Sequence, residues 1–208
     1  MHARRAAANQ WPMSDVGVRP SRPQLVAAGL LLVGAVAVAY VYTNRSGEEA
    51  RAQLGVDLGA VPLGVDAPRV SLLNRAGTAV PLESYRGRLV FVNFWATWCG
   101  PCREEMASLV ELSRTLDPAD VAFVSIAEDD TWPPVDAYLA ETPLPFDVYR
   151  DQPPRIEGAF ETTAYPTSFL IDREGRAVYR FNGARDWNTA AARDLFAAYG
   201  ARVVAPQR

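Results

Sequence analysis

Apolar residues fall along this chain in one long unbroken run, two short ones and several interrupted stretches, and each kind predicts a different element. The long run covers residues 25–42, LVAAGLLLVGAVAVAYVY, without a single charged side chain. A helix packed on a globular core keeps a polar face, and this segment has none. Its 18 residues sit at the lower edge of the roughly 17 to 25 that a membrane-spanning helix needs. Residues 1–24 carry Arg4, Arg5, Arg19 and Arg22 against one acid, Asp15. That bias predicts a cytoplasmic N-terminus and places everything beyond Tyr42 on the far side of the membrane. The competing reading is a cleaved leader, with Ala35-Val36-Ala37 as a small-x-small site and Val38 as the new N-terminus. The apolar run continues through residues 38–42, past that site, which favours an uncleaved signal-anchor. No cysteine lies near the segment, so a lipoprotein anchor is excluded.

Residues 43–61 read as a linker, polar at first and then mixed, and residues 62–203 carry the pattern of one α/β domain. Residues 70–73 and 78–81, joined by Asn-Arg-Ala-Gly, predict a small N-terminal hairpin. The two short apolar runs, residues 88–95 and 121–127, predict strands buried on both faces. Between them Cys102, Met106, Leu109, Val110 and Leu116 recur at helical spacing, with Arg103, Glu104, Glu105, Ser108 and Glu111 on the intervening positions. A helix over 134–141 and a short strand over 146–149 follow. Residues 167–172 and 176–182 predict a second hairpin, and Ala192, Leu195, Phe196 and Tyr199 mark a closing helix. The order β-α-β-α-β-β-α combines a parallel half with an antiparallel half. Residues 204–208 remain as a tail.

Composition removes several chemistries. The chain has 208 residues and a net charge of -3, which argues against a nucleic-acid partner. All 21 basic residues are arginine, so a Schiff-base lysine and a phosphate-loop lysine are excluded. The one histidine is His2, which excludes Ser-His and Cys-His catalysis and any histidine-ligated metal site within the domain. Two cysteines remain, Cys99 and Cys102.

They lie in Trp98-Cys99-Gly100-Pro101-Cys102, where a buried strand gives way to a helix. That spacing suits a small disulfide whose first sulfur faces outward and whose second is tucked into the helix. Unpaired N–H groups and the helix dipole stabilise a thiolate there, lowering the pKa of the leading cysteine from about 8.5 into a range of roughly 3.5 to 7.5. Arg103 adds to this field, while Glu104 and Glu105 oppose it. Pro101 suits a first helical turn, where its missing N–H costs nothing. Half of a zinc site is the alternative reading, and it needs two further ligands that the chain lacks unless a dimer shares four cysteines. A purely structural bridge over so short a loop removes little chain entropy. Redox chemistry is the reading left.

The segments FVNFWATWCGPCREEM and AYPTSFLIDREG resemble the thioredoxin superfamily, and more closely its membrane-anchored TlpA/ResA-like branch of thiol-disulfide reductases. The resemblance runs from about Pro62 to Tyr199. It implies a thioredoxin fold, a central mixed β-sheet flanked by helices with the N-terminal hairpin added, preceded by one transmembrane helix. It implies Cys99 as the attacking cysteine, Cys102 as the resolving one, and Trp98, Gly100 and Pro101 as the surface around them. Pro166 matches a proline that members hold in cis, which frees the backbone of Tyr165 and Thr167 to pair with an extended substrate segment. Thioredoxin carries a buried aspartate where this chain has Asn93, which cannot exchange a proton. ResA-like members carry a glutamate after the next strand, and Glu128 matches it. A solvated loop acid beside Asp129 and Asp130 is the other reading of Glu128. Trp95 reads as core, and Trp132 and Trp187 as loop or groove packing.

The function expected is reduction of disulfides in protein substrates on the periplasmic face of a bacterial cytoplasmic membrane. The redox-active Cys99–Cys102 disulfide serves in place of a cofactor, and no metal is required. Such a protein, read here as a monomer, needs a membrane electron donor, which the resemblance makes of DsbD/CcdA type. Apocytochromes c, or the copper-site cysteines of an oxidase, are the substrates it implies. Two alternatives stand: a disulfide oxidase or isomerase with the same parts, and a copper(I)-binding assembly protein using the cysteine pair.

Overall fold

The two unbroken apolar runs become the centre of one sheet. A computed structural model describes the backbone of residues 22–152 and 156–205, with side chains from residue 30. β4 (Leu89–Trp95) and β5 (Val121–Ala127) are buried at every position and pair in parallel. β7 (Thr167–Ile171) runs antiparallel on the other side of β4, and β8 (Arg176–Asn182) pairs with β7. β1 (Val61–Asp66) closes that edge, and beyond β5 come β6 (Asp147–Arg150) and the hairpin β2 (Ser71–Leu73) and β3 (Ala79–Pro81). The eight-stranded order is β1-β8-β7-β4-β5-β6-β2-β3. The sheet is mixed, as the element order predicts.

Successive side chains of β4 point to opposite faces and build two cores. Leu89, Phe91 and Trp95 join Met106 and Leu109 of α2 (Gly100–Arg114), Trp187, and Leu195 and Phe196 of α5 (Ala190–Ala198). Val90, Val92 and Phe94 face the other way, toward Leu82 and Tyr85 of a 3₁₀ turn and Ile156 of the short helix α4 (Ile156–Ala159). Phe91 centres the first core, 4.7 Å from the Trp187 ring and 5.7 Å from Phe196. In the β7–β8 turn, Asp172 accepts from the N–H of Glu174 and Arg176, and Gly175 takes a positive φ of 88°.

The chain divides into two units, Met1–Ser46 and Gly47–Arg208. α1 (Arg22–Asp57) begins in the first and ends in the second. The expected basic N-terminus lies outside the described residues as far as Ser21, and the expected span begins five residues before the described side chains. From Leu30 to Val33 the side chains are about two-thirds or more exposed. Among the described residues no helix is long and apolar enough to cross a membrane.

Three features depart from the sequence reading. Residues 43–61, expected as a linker, are helical to Asp57 and then packed. Leu54 and Leu58 lie against the first core, and Arg51 O accepts from the Tyr179 hydroxyl at 3.0 Å. Gly55 permits this, since a Cβ there would lie 2.7 Å from the Tyr179 ring. The polar residues 43–53 and Gly55 mask a helix that contributes only these anchors. The sequence does not predict β1 either: Val61, Leu63 and Val65 alternate, but the intervening Pro62 and Gly64 read as strand breakers and are accommodated because β1 is an exposed edge strand. Third, Glu105 is not on the polar face of α2. It is 4% exposed, on the same buried stripe as Cys102 and Met106, and its Oε1 accepts from the Trp187 indole N–H.

Burial pushes the Glu105 carboxyl up from 4.5 to about 7, against the opposing pull of Trp187 and Arg185. Between those two values the folded protein holds a proton that the unfolded chain has released. Stability therefore falls as pH rises from about 4.5 to about 7, by up to about 3 kcal/mol. Glu105→Gln removes this loss. Thermal unfolding of both proteins across that window should show the variant gaining on the wild type as pH rises, and a constant difference would contradict the buried acid.

Candidate active site

The double pairing of β4 sets the site. Its last residues stand opposite the end of β5 on one side, Trp95 against Ala127. On the other side they stand opposite the start of β7, Phe94 against Thr167. Three segments therefore leave or enter at one edge: Ala96–Cys99 from β4, Glu128–Asp130 from β5, and Tyr165-Pro166 into β7. This is the edge formed by the C-terminal ends of the parallel strands, where open α/β sheets place their sites. Trp95 O accepts from the Glu128 N–H at 2.8 Å, and Ala96 O from the Cys99 N–H at 3.1 Å.

Cys99 and Cys102 are joined by a disulfide. Cys99 is the N-cap of α2, and its Sγ accepts from the Cys102 N–H at 3.2 Å, with Pro101 in the first turn. Cys99 is 7% exposed and Cys102 1%, so both sulfurs are more covered than the sequence reading expected, with Cys99 the outer one. A thiolate on Cys99 would face the unpaired N–H groups and the positive end of the helix dipole, whereas Cys102 lies within the first turn. Trp98 is 66% exposed beside them.

Across the edge, the Tyr165–Pro166 bond is cis. The Tyr165 ring meets Trp98 edge-on, 5.9 Å between centroids. Its hydroxyl donates to Glu157 on α4, and the nearby Glu128 acts on it electrostatically. Burial first, then these two acids, hold the phenol well above its ordinary pKa, so it keeps its proton. Glu128 is buried, 6% exposed, and is not a solvated loop acid. Thr167 is buried, and its hydroxyl donates to Ala164 O at 2.8 Å. Asn93 is buried and donates to Ser168 Oγ at 3.0 Å, tying β4 to β7.

Asp129 corrects the sequence reading. It is 3% exposed, and its carboxylate accepts from the N–H of Thr97 at 3.0 Å and from the Thr97 hydroxyl. It pins the loop that delivers Cys99, and only Asp130 of that acidic run is exposed. Arg150, at the end of β6, donates to the carbonyls of Asp129, Asp130 and Asp151. Asp151 in turn caps α4 through the N–H groups of Ile156 and Glu157, at 2.8 and 3.0 Å. Sequence reasoning missed Asp129, Arg150, Asp151 and Glu157, because each acts through partners brought close only by the sheet. Trp132, at the start of α3 (Trp132–Glu141), is covered by the Arg75 guanidinium at 5.4 Å, and Arg75 pairs with Asp136 on the same helix. The hairpin tip thus clamps α3. Among the described residues no group of three or more histidine, cysteine or carboxylate side chains is arranged to hold a metal ion.

Comparison with known proteins agrees with this geometry. The Redoxin family matches residues 62–198. A thiol-disulfide oxidoreductase ResA of Bacillus anthracis is 33% identical over 121 residues, covering 58% of this chain and 70% of the relative. ResA of Bacillus subtilis (strain 168) is 27% identical over 163 residues, covering 77% and 86%. The solved structure of a thiol:disulfide interchange protein from Chlorobium tepidum TLS superposes with a TM-score of 0.56 at 29% identity, covering 66% of this chain and 99% of that one. A cysteine pair capping α2, a cis proline opposite it and matches of this extent lead to one conclusion: the chain belongs to the Redoxin family, as a TlpA/ResA-like member of the thioredoxin superfamily.

Proposed function

We propose that this protein is an extracytoplasmic thiol-disulfide reductase acting on protein substrates. The observation that carries the reading is the Cys99–Cys102 pair at the start of α2, facing the cis Tyr165–Pro166 bond. In the reduced protein, the Cys99 thiolate attacks one sulfur of a substrate disulfide. A Cys99–substrate disulfide forms and the other substrate sulfur leaves with the electron pair. Cys102 then loses its proton and attacks Cys99 Sγ, which reforms the Cys99–Cys102 bond and expels the second substrate thiolate. The substrate disulfide is reduced and the protein dithiol oxidised. The backbone at Tyr165 and Thr167 pairs with the substrate segment, and Trp98, Gly100 and Pro101 line its approach. Glu128 takes the Cys102 proton, a role supported by its burial and by its origin at the end of β5, beside the end of β4.

Residues 25–42 anchor the protein in the membrane with the domain on the outer face, a reading supported by their uncharged sequence and the arginines before them. An oxidising compartment makes a membrane donor of DsbD/CcdA type necessary. Apocytochromes c or oxidase copper-site cysteines are the substrate classes this assignment favours. Equilibrating the pair against glutathione tests the direction. A pair more reducing than glutathione supports a reductase, and a more oxidising one makes it an oxidase or isomerase. Copper titration of the reduced protein tests the binding alternative, which predicts tight stoichiometric uptake.

Cys102→Ser should accumulate mixed disulfides with substrates in cells, visible on non-reducing gels, and Cys99→Ser far fewer. The reverse pattern would exchange the roles of the two cysteines. Glu128→Gln should slow disulfide exchange by roughly tenfold or more with the fold intact by circular dichroism. Glu105 is the competing acceptor, and a loss confined to Glu105→Gln would transfer the role to it. Asp130→Asn should leave the rate unchanged, whereas Asp129→Ala should cost about 1–3 kcal/mol of stability by stripping Thr97 of its acceptor. Carbonate washing should leave the full chain in the membrane fraction, and a mature N-terminus at Val38 would show the leader cleaved.

A further inference from the structure

The side chain that precedes the cis proline is held at both ends. Near the backbone, Tyr165 packs against both cores, just before β7 begins at Thr167. Its ring meets Trp98 edge-on at 5.9 Å, and Trp98 is 66% exposed. At the far end of the ring, the hydroxyl donates to Glu157 Oε2. The thiol exchange written above uses the backbone at Tyr165 and leaves this hydroxyl without a task.

Glu157 is fixed through both of its backbone groups. Its N–H donates to Asp151 Oδ2 at 3.0 Å, and its carbonyl accepts from the Thr162 N–H at 2.9 Å. A helix of four residues such as α4 is too short to hold itself. Asp151 caps it, and Ile156 anchors it in the second core. Asp151 takes its own position from β5, because its N–H donates to Ala127 O at 2.8 Å. The end of β5 is tied in turn to the end of β4, where the Glu128 N–H donates to Trp95 O. A continuous tether therefore runs from the edge that carries the disulfide, through Asp151 and α4, to the Tyr165 ring.

A tyrosine side chain turns about two torsions, and a tie at the hydroxyl removes that freedom. Trp98 beside Cys99 and Tyr165 beside Pro166 then stand in place before any substrate arrives. A side chain already ordered costs nothing to order on binding, which is worth about two- to tenfold in affinity. We propose that Glu157 is a positioning residue that locks Tyr165 against Trp98 as one wall of the substrate groove. This rests on the reductase reading given above. The wall favours disulfides carried on an extended peptide over small disulfides with no chain to lay beside it. Glu157 acts through Tyr165 and takes no part in the exchange at sulfur.

The test uses the full chain, reduced and freed of reductant, and one leaving group on two carriers. Thionitrobenzoate is presented in mixed disulfide with a cysteine-containing peptide or with mercaptoethanol. In each case the Cys99 thiolate forms the disulfide to the carrier and expels the coloured thionitrobenzoate thiolate. The readout is the rate constant for the peptide divided by that for mercaptoethanol. Glu157→Ala and Tyr165→Phe should each lower this ratio about two- to tenfold, with the fold intact by circular dichroism. The double variant should lose no more than either alone, because both act through one hydrogen bond. Glu157→Gln, which keeps an acceptor oxygen, should restore the wild-type ratio. An unchanged ratio in Glu157→Ala, additive losses in the double variant, or a Glu157→Gln as low as Glu157→Ala would each overturn the tether. A wild type that reacts with both carriers and shows no preference for the peptide would overturn the groove and its wall, leaving Cys99 as nucleophile. A wild type that reacts with neither would overturn the reductase reading and this inference with it.

Discussion

Everything functional in this molecule depends on β4 being paired on both sides. A strand buried at every position has no solvent face to slide toward, and its register with β5 and β7 is fixed over its length. Because β5 runs parallel and β7 antiparallel, the end of one neighbour and the beginning of the other meet at the same place. Cys99, Glu128 and Pro166 are 29 and 38 residues apart in order (128 minus 99, and 166 minus 128), yet they share an edge for that reason alone. A slip of one residue would turn Phe91 out of its aromatic core and carry the loop to Cys99 with it.

The same edge collects buried acids, and each is handled differently. Asp129 is consumed by Thr97, Asp151 by the start of α4, and Glu105 by the Trp187 indole with one oxygen left unbonded. Such groups cost free energy unless they are bonded or protonated. Asp129 is satisfied by the N–H and hydroxyl of Thr97 and Asp151 by two backbone N–H groups, and both serve architecture. Glu105 is met by an indole N–H. Burial pushes that carboxyl up to about 7, where it takes up and releases a proton near neutral pH.

Much of this was legible in the sequence. Unbroken apolar runs gave β4 and β5, helical spacing gave α2, and Cys99-Gly100-Pro101-Cys102 marked the chemistry at once. Edge strand β1 and the packing of residues 51–58 were not legible, because Pro62 and Gly64 interrupt the one and only Leu54 and Leu58 anchor the other. Glu105 looked like any acid on a helix, and only the position of Trp187, 82 residues away, turns it inward. Asp129 and Glu157 were hidden for the same reason. A residue whose partner lies on another element leaves no local pattern, so these groups emerged only with the sheet, whereas Glu128 was legible through the family resemblance.

The central claim is that Cys99, the cap of α2, is the activated nucleophile. Alkylation of the reduced protein by iodoacetamide, followed across pH and assigned by mass spectrometry, tests it most directly. Cys99 should be modified first, with a midpoint below the value of about 8.5 for an ordinary thiol, while Cys102 reacts slowly and only at higher pH. Faster labelling of Cys102, or a Cys99 midpoint at or above that of a free thiol, would contradict it.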